Sequence, residues 1–158
     1  MYGLWLYGRP GAGKTTLAEM IKDRMPGAVL LDADEVRATV NSDLGFSIKD
    51  RTENIRRVAN ISKLLIDQRH FPIVTAITPT TTLRLLVSQI CPSMRLLYIH
   101  CPLETCMERD PKGMYAEAKR GIRPYFTGVG QVFEEPVTHY FVDTEKATIK
   151  ECVDEILH

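Results

Sequence analysis

Apolar residues fall along this chain in two alternating rhythms. Short apolar runs, rich in β-branched and aromatic residues, occupy positions 4–7, 28–32, 73–77, 95–100 and 140–142. Between them, apolar residues recur at three- and four-residue spacing over 14–25, near 35–41, and over 48–69, 82–90, 103–109, 114–119 and 148–157. The first rhythm predicts strands and the second helices, since side chains repeat every second residue along a strand and about every 3.6 along a helix. Such alternation favours a parallel sheet covered on both faces by right-handed crossovers, with ligands gathered at the carboxyl ends of the strands. The expected fold is a three-layer α/β arrangement with a five-stranded, mainly parallel sheet, forming one domain over residues 1–158. One stretch breaks the pattern. Residues 121–136 mix Gly121, Pro124, Gly128, Gly130 and Pro136 with aromatics and Arg123, and a lid is expected over about 109–136.

Composition narrows the function classes. The 158 residues are 44% apolar and 25% charged, enough for a buried core. Twenty basic residues balance twenty acidic ones, so the broad positive footprint of a nucleic-acid or anionic-membrane binder is missing and anion binding must be local. Cys91, Cys101, Cys106 and Cys152 form no CxxC pair and no metal-like spacing with the four histidines, which predicts reduced thiols. With no long apolar run and no signal-peptide pattern, the chain is expected in the cytoplasm.

The chemistry is announced by Gly8-Arg9-Pro10-Gly11-Ala12-Gly13-Lys14-Thr15, entered from a strand pattern and leaving into a helix pattern. In that context the run is a phosphate-binding loop. Its glycines let successive N–H groups turn inward on phosphate, and the helix behind presents its positive end. Lys14 would reach the β- and γ-phosphates, Thr15 would ligate Mg²⁺, and Gly8, Gly11, Ala12, Gly13 and Thr16 complete the expected ATP cradle. At the end of the second strand, Asp32-Ala33-Asp34-Glu35-Val36-Arg37 brings two carboxylates and a guanidinium beside that loop. Phosphoryl transfer to a hydroxyl needs a carboxylate to accept its proton or organise the metal, and cations to stabilise the equatorial oxygens. Asp34 is the expected base and Asp32 an expected support for Mg²⁺-bound water, two roles that sequence does not apportion. The plainer alternative has Asp34 capping the next helix and Arg37 in solvent.

The long helix starts with a capping pattern, Ser47 then Asp50, and carries an inward stripe of Ile55, Val58, Ala59, Ser62, Leu65 and Ile66. Arg51 and Asn54 extend this stripe toward its start. A charge at that position is costly unless paired or facing a site, so Arg51 is an expected anion ligand, whereas Arg56 and Arg57 are expected in solvent.

GRPGAGKTT, LDADEVR, LGFS with DRTENIRR, the strand-end ITP, RDPKGMY, FTG and FEEP occur in an order and spacing that resemble the adenylylsulfate kinase family over nearly the whole chain. The resemblance implies a P-loop NTPase fold and transfer of the γ-phosphoryl of MgATP to the 3′-hydroxyl of adenylylsulfate (APS), giving 3′-phosphoadenylylsulfate (PAPS) and ADP. It implies that Asp34 faces the acceptor hydroxyl, within a catalytic set of Lys14, Asp34 and Thr78. Asp32, Arg37, Arg51 and Asn54 would hold phosphosulfate or ribose, Phe46 and Phe126 would sandwich the adenine, and Ile77, Thr78 and Lys112 would line the same pocket, with Arg109 near ATP. A homodimer and a functional link to ATP sulfurylase are left open by it. No nucleic acid or membrane partner is expected.

This chain departs from the family pattern in three places. Ala33 stands where the family usually has Gly, and Thr78 where it has Ser; Thr80-Thr81-Thr82 replaces a stretch that typically carries a basic residue, leaving Arg84 as the remaining cation. A kinase of another hydroxyl-bearing metabolite is the alternative that these changes favour. A non-catalytic PAPS-sensing module is the other, and the intact Lys14 and Thr15 argue against it.

Overall fold

The structure, a computed structural model, describes residues 1–123, 126–127 and 131–158. Pro124, Gly128 and Gly130, part of the expected lid, lie outside the described residues. Five strands, β1 (Gly3–Tyr7), β2 (Ala28–Asp32), β3 (Phe71–Ala76), β4 (Met94–His100) and β5 (Phe141–Asp143), form one sheet in the order β2-β3-β1-β4-β5. Every pairing is parallel, so the sheet is wholly rather than mainly so.

Strand β1 is buried along its entire length and shows how the chain builds two cores at once. Leu4 and Leu6 enter the cluster on one face, and Trp5 and Tyr7 enter the other, as the two-residue repeat requires. On the first face lie α1 (Lys14–Arg24), α5 (Leu103–Arg109), α6 (Met114–Lys119) and α7 (Ile149–Leu157), contributing Leu17, Ile21, Cys106, Tyr115 and Val153. The second is covered by α2 (Ala33–Ala38), α3 (Ile48–Asp67) and α4 (Thr81–Ile90), with Val36, Ile55, Val58, Leu83 and Val87. All four cysteines are buried free thiols. Among the described residues no helix is long and apolar enough to cross a membrane.

Side-chain caps set several boundaries. Ser47 accepts from the Asp50 amide at the start of α3, as expected, while the Asp50 carboxylate turns outward to the Gly45 amide at 3.1 Å. Thr148 and Glu151 complete a reciprocal capping box on α7. Helix α2 begins at Ala33, two residues before the periodicity suggests, because the Asp32 side chain accepts from the amides of Asp34 and Glu35. Asp32, not Asp34, is therefore the cap. Strand β3 starts at Phe71 rather than 73 because it pairs from its first residue, Phe71 opposite Ala28 of β2. The carboxyl ends of β1, β2 and β3 then converge on one rim.

Ile21 is fully buried in the first core, with α1 laid against β1, β2 and β3. We expect Ile21→Ala to destabilise the fold by about 2–5 kcal/mol. The change should read as a lowered urea midpoint at unchanged slope.

Candidate active site

The loop between β1 and α1 packs where only glycine fits. A β-carbon on Gly8 would fall 2.4 Å from the Ile99 carbonyl oxygen, so the loop hugs the end of β4. Gly13 sits at φ 97° and precedes α1 without any side-chain cap. The first amides of α1 are thereby left for an anion, which the helix end favours electrostatically. Behind the loop, the Tyr115 hydroxyl donates to Pro10 O at 2.7 Å and Thr144 Oγ1 to Ala12 O at 2.7 Å. Arg109 donates to Thr144 O at 2.8 Å and to its Oγ1 at 3.2 Å, and also reaches toward Gly11 O.

Lys14 Nζ donates to the carbonyls of Gly8 (2.9 Å) and Arg9 (2.7 Å) and makes no ion pair among the described residues. Burial pulls its pKa down to about 8, against the attraction of Asp34 and Asp32. The amine is thus held on neutral carbonyls in a buried setting.

The two carboxylates at the end of β2 have different surroundings. Asp32 Oδ2 accepts from Thr75 Oγ1 at 3.0 Å and from Thr15 Oγ1 at 3.4 Å, while Oδ1 caps α2. Asp34, in the first turn of that helix, meets only Arg37 among the described residues, at 3.1 Å, and its side chain is 57% exposed. Asp32 is held by several donors, and Asp34 is the carboxylate free to meet a ligand.

Beside Asp34, two guanidiniums sit around one ring. Arg37 lies 3.9 Å over the centre of Phe46, and Arg51 lies 6.0 Å from it. Arg37 Nη1 is buried with no hydrogen-bond partner among the described residues. Arg51 donates only to neutral acceptors, Phe46 O at 2.9 Å and Gln131 Oε1 at 3.2 Å. Burial, and then the neighbouring Arg37 charge, lower the Arg51 pKa from its ordinary value. A cavity of about 2150 Å³ joins the phosphate loop to this cationic end. Its walls include Lys14, Asp34, Arg37, Phe46, Arg51, Ile77, Arg109, Lys112 and Phe126.

Several expected site residues serve the scaffold as well or instead. Asn54 is buried, accepting from Asn41 at 2.8 Å and donating to Ala33 O at 3.1 Å, so most of its bonding capacity ties α2 to α3. Phe126 is 6% exposed and packs edge-on against Tyr115 with ring centres 4.9 Å apart, whereas Phe46 is 52% exposed. Thr78 borders the cavity but is 1% exposed, and its hydroxyl accepts from Trp5 Nε1 at 2.9 Å, so that oxygen also serves the scaffold. Arg84 is not a free substrate cation. It is buried and donates to main-chain carbonyls. Arg56 and Arg57 are tied to Glu53, and Arg57 forks onto Asp43 at 2.8 and 2.9 Å, so they form a paired surface cluster instead of independent solvated charges.

Thr75, Thr144, Gln131 and Trp5 hold site groups and were not singled out from sequence. Thr75 had a readable signal, a hydroxyl inside an otherwise apolar strand. The other three act through contacts 73 or more residues away, or through a neighbour's carbonyl, and sequence carries no local sign of them.

A parallel β2-β3-β1-β4-β5 sheet, with a glycine-rich loop after its central strand opening on a cavity also lined by α2 and α3, defines a P-loop NTPase fold. Residues 2–142 match the family model for adenylylsulphate kinase. The adenylyl-sulfate kinases of Bacillus licheniformis and Marinobacter nauticus are each 39% identical to this chain over 98% of its length, covering 82% and 81% of their own. The solved structure of the Mycobacterium tuberculosis APS kinase in complex with AMPPNP and APS superimposes with a TM-score of 0.94 at 32% identity, covering 99% of this chain and 95% of that one. The chain belongs to the adenylylsulphate kinase family.

The state of Lys14 yields a signed pH prediction. Between about 8 and the ordinary 10.5, the unfolded chain carries more proton here than the folded one, so the free protein gains stability from this group as pH rises through that window. A phosphate placed beside the amine would favour its charged form and raise its pKa. We expect AMPPNP binding at pH near 8.5 to take up a fraction of a proton, measured by calorimetry in buffers of different ionisation enthalpy. Lys14→Ala should abolish the uptake.

Proposed function

We propose that this chain transfers the γ-phosphoryl group of ATP to the 3′-hydroxyl of APS. The observation that carries this reading is the guanidinium pair. Among the described residues Arg37 has one buried, unpartnered nitrogen and Arg51 has only neutral partners, and both line the cavity that also holds the phosphate loop. Two charges close together with a single carboxylate beside them call for a strongly anionic ligand, and a phosphosulfate carries two negative charges. The exposed ring of Phe46 beside them offers a face to the adenine. Family membership and the superposition on an APS-bound relative support the same substrate.

In this reading the phosphate loop and Lys14 hold the β- and γ-phosphates, and Arg109 borders the nucleotide. The 3′-oxygen attacks the γ-phosphorus as the bond to the β–γ bridging oxygen breaks, ADP leaves with that electron pair, and the hydroxyl proton passes to Asp34. Asp32, already accepting from two threonine hydroxyls and two amides, instead stabilises its neighbours. The hydroxyl of Thr15 and the carboxylate of Asp32, 3.4 Å apart beside the loop, are hard oxygen donors that suit Mg²⁺ directly or through its water. Such an ion, when bound, would neutralise charge building on the phosphate oxygens. Residues 109–136, which contribute Lys112, Phe126 and Gln131 to the cavity, would close over the paired nucleotides and exclude water.

Incubation with MgATP and APS should give PAPS and ADP, resolved by anion-exchange chromatography, and Lys14→Ala should give neither. Folded, ATP-binding protein that forms no PAPS would overturn the reading in favour of another acceptor. Asp34→Asn should lower kcat by about 10²–10⁴-fold with AMPPNP affinity nearly unchanged. Collapse of nucleotide affinity with kcat preserved would move Asp34 to the metal side.

A further inference from the structure

The FEEP segment and Arg84 have no part in the chemistry above, yet they meet at one point. Arg84 is a guanidinium with 7% of its surface exposed and, among the described residues, no ion pair. Its Nε donates to Thr78 O at 3.1 Å, and its Nη2 donates to Pro79 O at 3.1 Å and Glu134 O at 2.7 Å. The rings of Tyr7 and Phe133 lie 4.7 and 5.0 Å from the guanidinium carbon. A charge this buried is balanced here by three carbonyl dipoles and two aromatic faces, an arrangement that uses the flat fork of arginine and that lysine meets only in part.

What Arg84 grips is strained. Thr78 has φ 45°, a left-handed conformation that a β-branched residue rarely adopts. Three contacts hold it there: Arg84 on its carbonyl, Trp5 on its hydroxyl, and the neighbouring Ile77 carbonyl accepting from Gly8 N of the phosphate loop at 3.3 Å. The same guanidinium seats Glu134. That residue's amide donates to Pro79 O at 2.8 Å, and its carboxylate accepts from the first amide of α4, that of Thr81, at 2.7 Å. The next residue, Glu135, pairs with Arg9 of the phosphate loop and accepts from the Tyr98 hydroxyl.

We propose that Arg84 is a positioning residue for the acceptor: by clamping the carbonyls of Thr78, Pro79 and Glu134 it fixes the floor of the acceptor pocket and seats residues 133–135 against it. It acts through Thr78 and Ile77 and does not touch the substrate. The clamp therefore governs the acceptor half of the site more than the nucleotide half, where Tyr115 and Thr144 add further braces to the phosphate loop. The assignment of that half as an APS pocket rests on the function proposed above.

The test uses Arg84→Gln and Arg84→Lys in the full chain. In Arg84→Gln, KM for APS should rise about tenfold or more while AMPPNP affinity stays within about twofold. Amide exchange at Thr81 and Glu134, measured without ligand, should quicken. Arg84→Lys, which keeps a donor on the carbonyls, should recover part of both effects, and it carries the test if Arg84→Gln does not fold. Equal weakening toward both nucleotides would overturn the proposal, as would unchanged APS kinetics. If the wild type phosphorylates no APS, the kinase reading falls on its own, and exchange still decides the clamp. Unchanged exchange at Thr81 and Glu134 would then overturn it.

Discussion

Much of this molecule hangs on one backbone hydrogen bond and the close approach beside it. Gly8 N donates to Ile77 O at 3.3 Å, and the same glycine lies so near Ile99 O that no β-carbon could enter. The phosphate loop is thereby fixed to the ends of β3 and β4 at once. Nucleotide phosphates and the acceptor floor share a single rigid rim, and in-line transfer asks for that kind of fixed alignment. A larger residue at position 8 would have to separate the loop from β4, and the loop would then lose its reference to the acceptor side.

The second constraint is electrostatic. The chain has zero net charge, so its attraction for nucleotides cannot come from a general field. It comes from cations whose countercharges are withheld. Lys14 rests on carbonyls, Arg51 on neutral oxygens, and Arg37 shares one nitrogen with Asp34 and leaves another unpartnered. Elsewhere the same residue types are matched closely, as in Arg57 with Asp43 and Glu53. Holding like charges near each other in a partly buried space costs free energy in the empty protein. An anionic ligand removes that cost on arrival, so the unmatched arginines make binding depend on ligand charge.

The elements and the nucleotide half were legible because their signals are local. Alternation along β1, the glycines before Lys14, and the stripe on α3 each follow from a repeat of two to four residues. The acceptor half was legible in residue type and less so in role. Arg51 at the start of an apolar stripe faces the cavity as its costly position implied. Asn54 on the same stripe also borders the cavity but spends bonds tying α2 to α3, a role that depends on Asn41, thirteen residues away. The contacts that Arg84 and Thr78 make were not legible for the same reason. Whether a guanidinium meets an anion or a set of carbonyls is decided by which strand end and loop the fold brings to it.

The two small departures from the family pattern now have physical consequences of opposite kinds. Ala33 opens helix α2 as an ordinary helical residue, and its methyl packs into the second core while bordering the cavity wall. Thr78 is different. Its left-handed φ is harder for a β-branched residue than for an unbranched one, a strain of about 1–3 kcal/mol that persists only where surroundings over-determine it. Trp5 and Arg84 supply that determination from two sides. A threonine at this strand end thus makes the scaffold's grip on the acceptor floor more demanding than a smaller residue would.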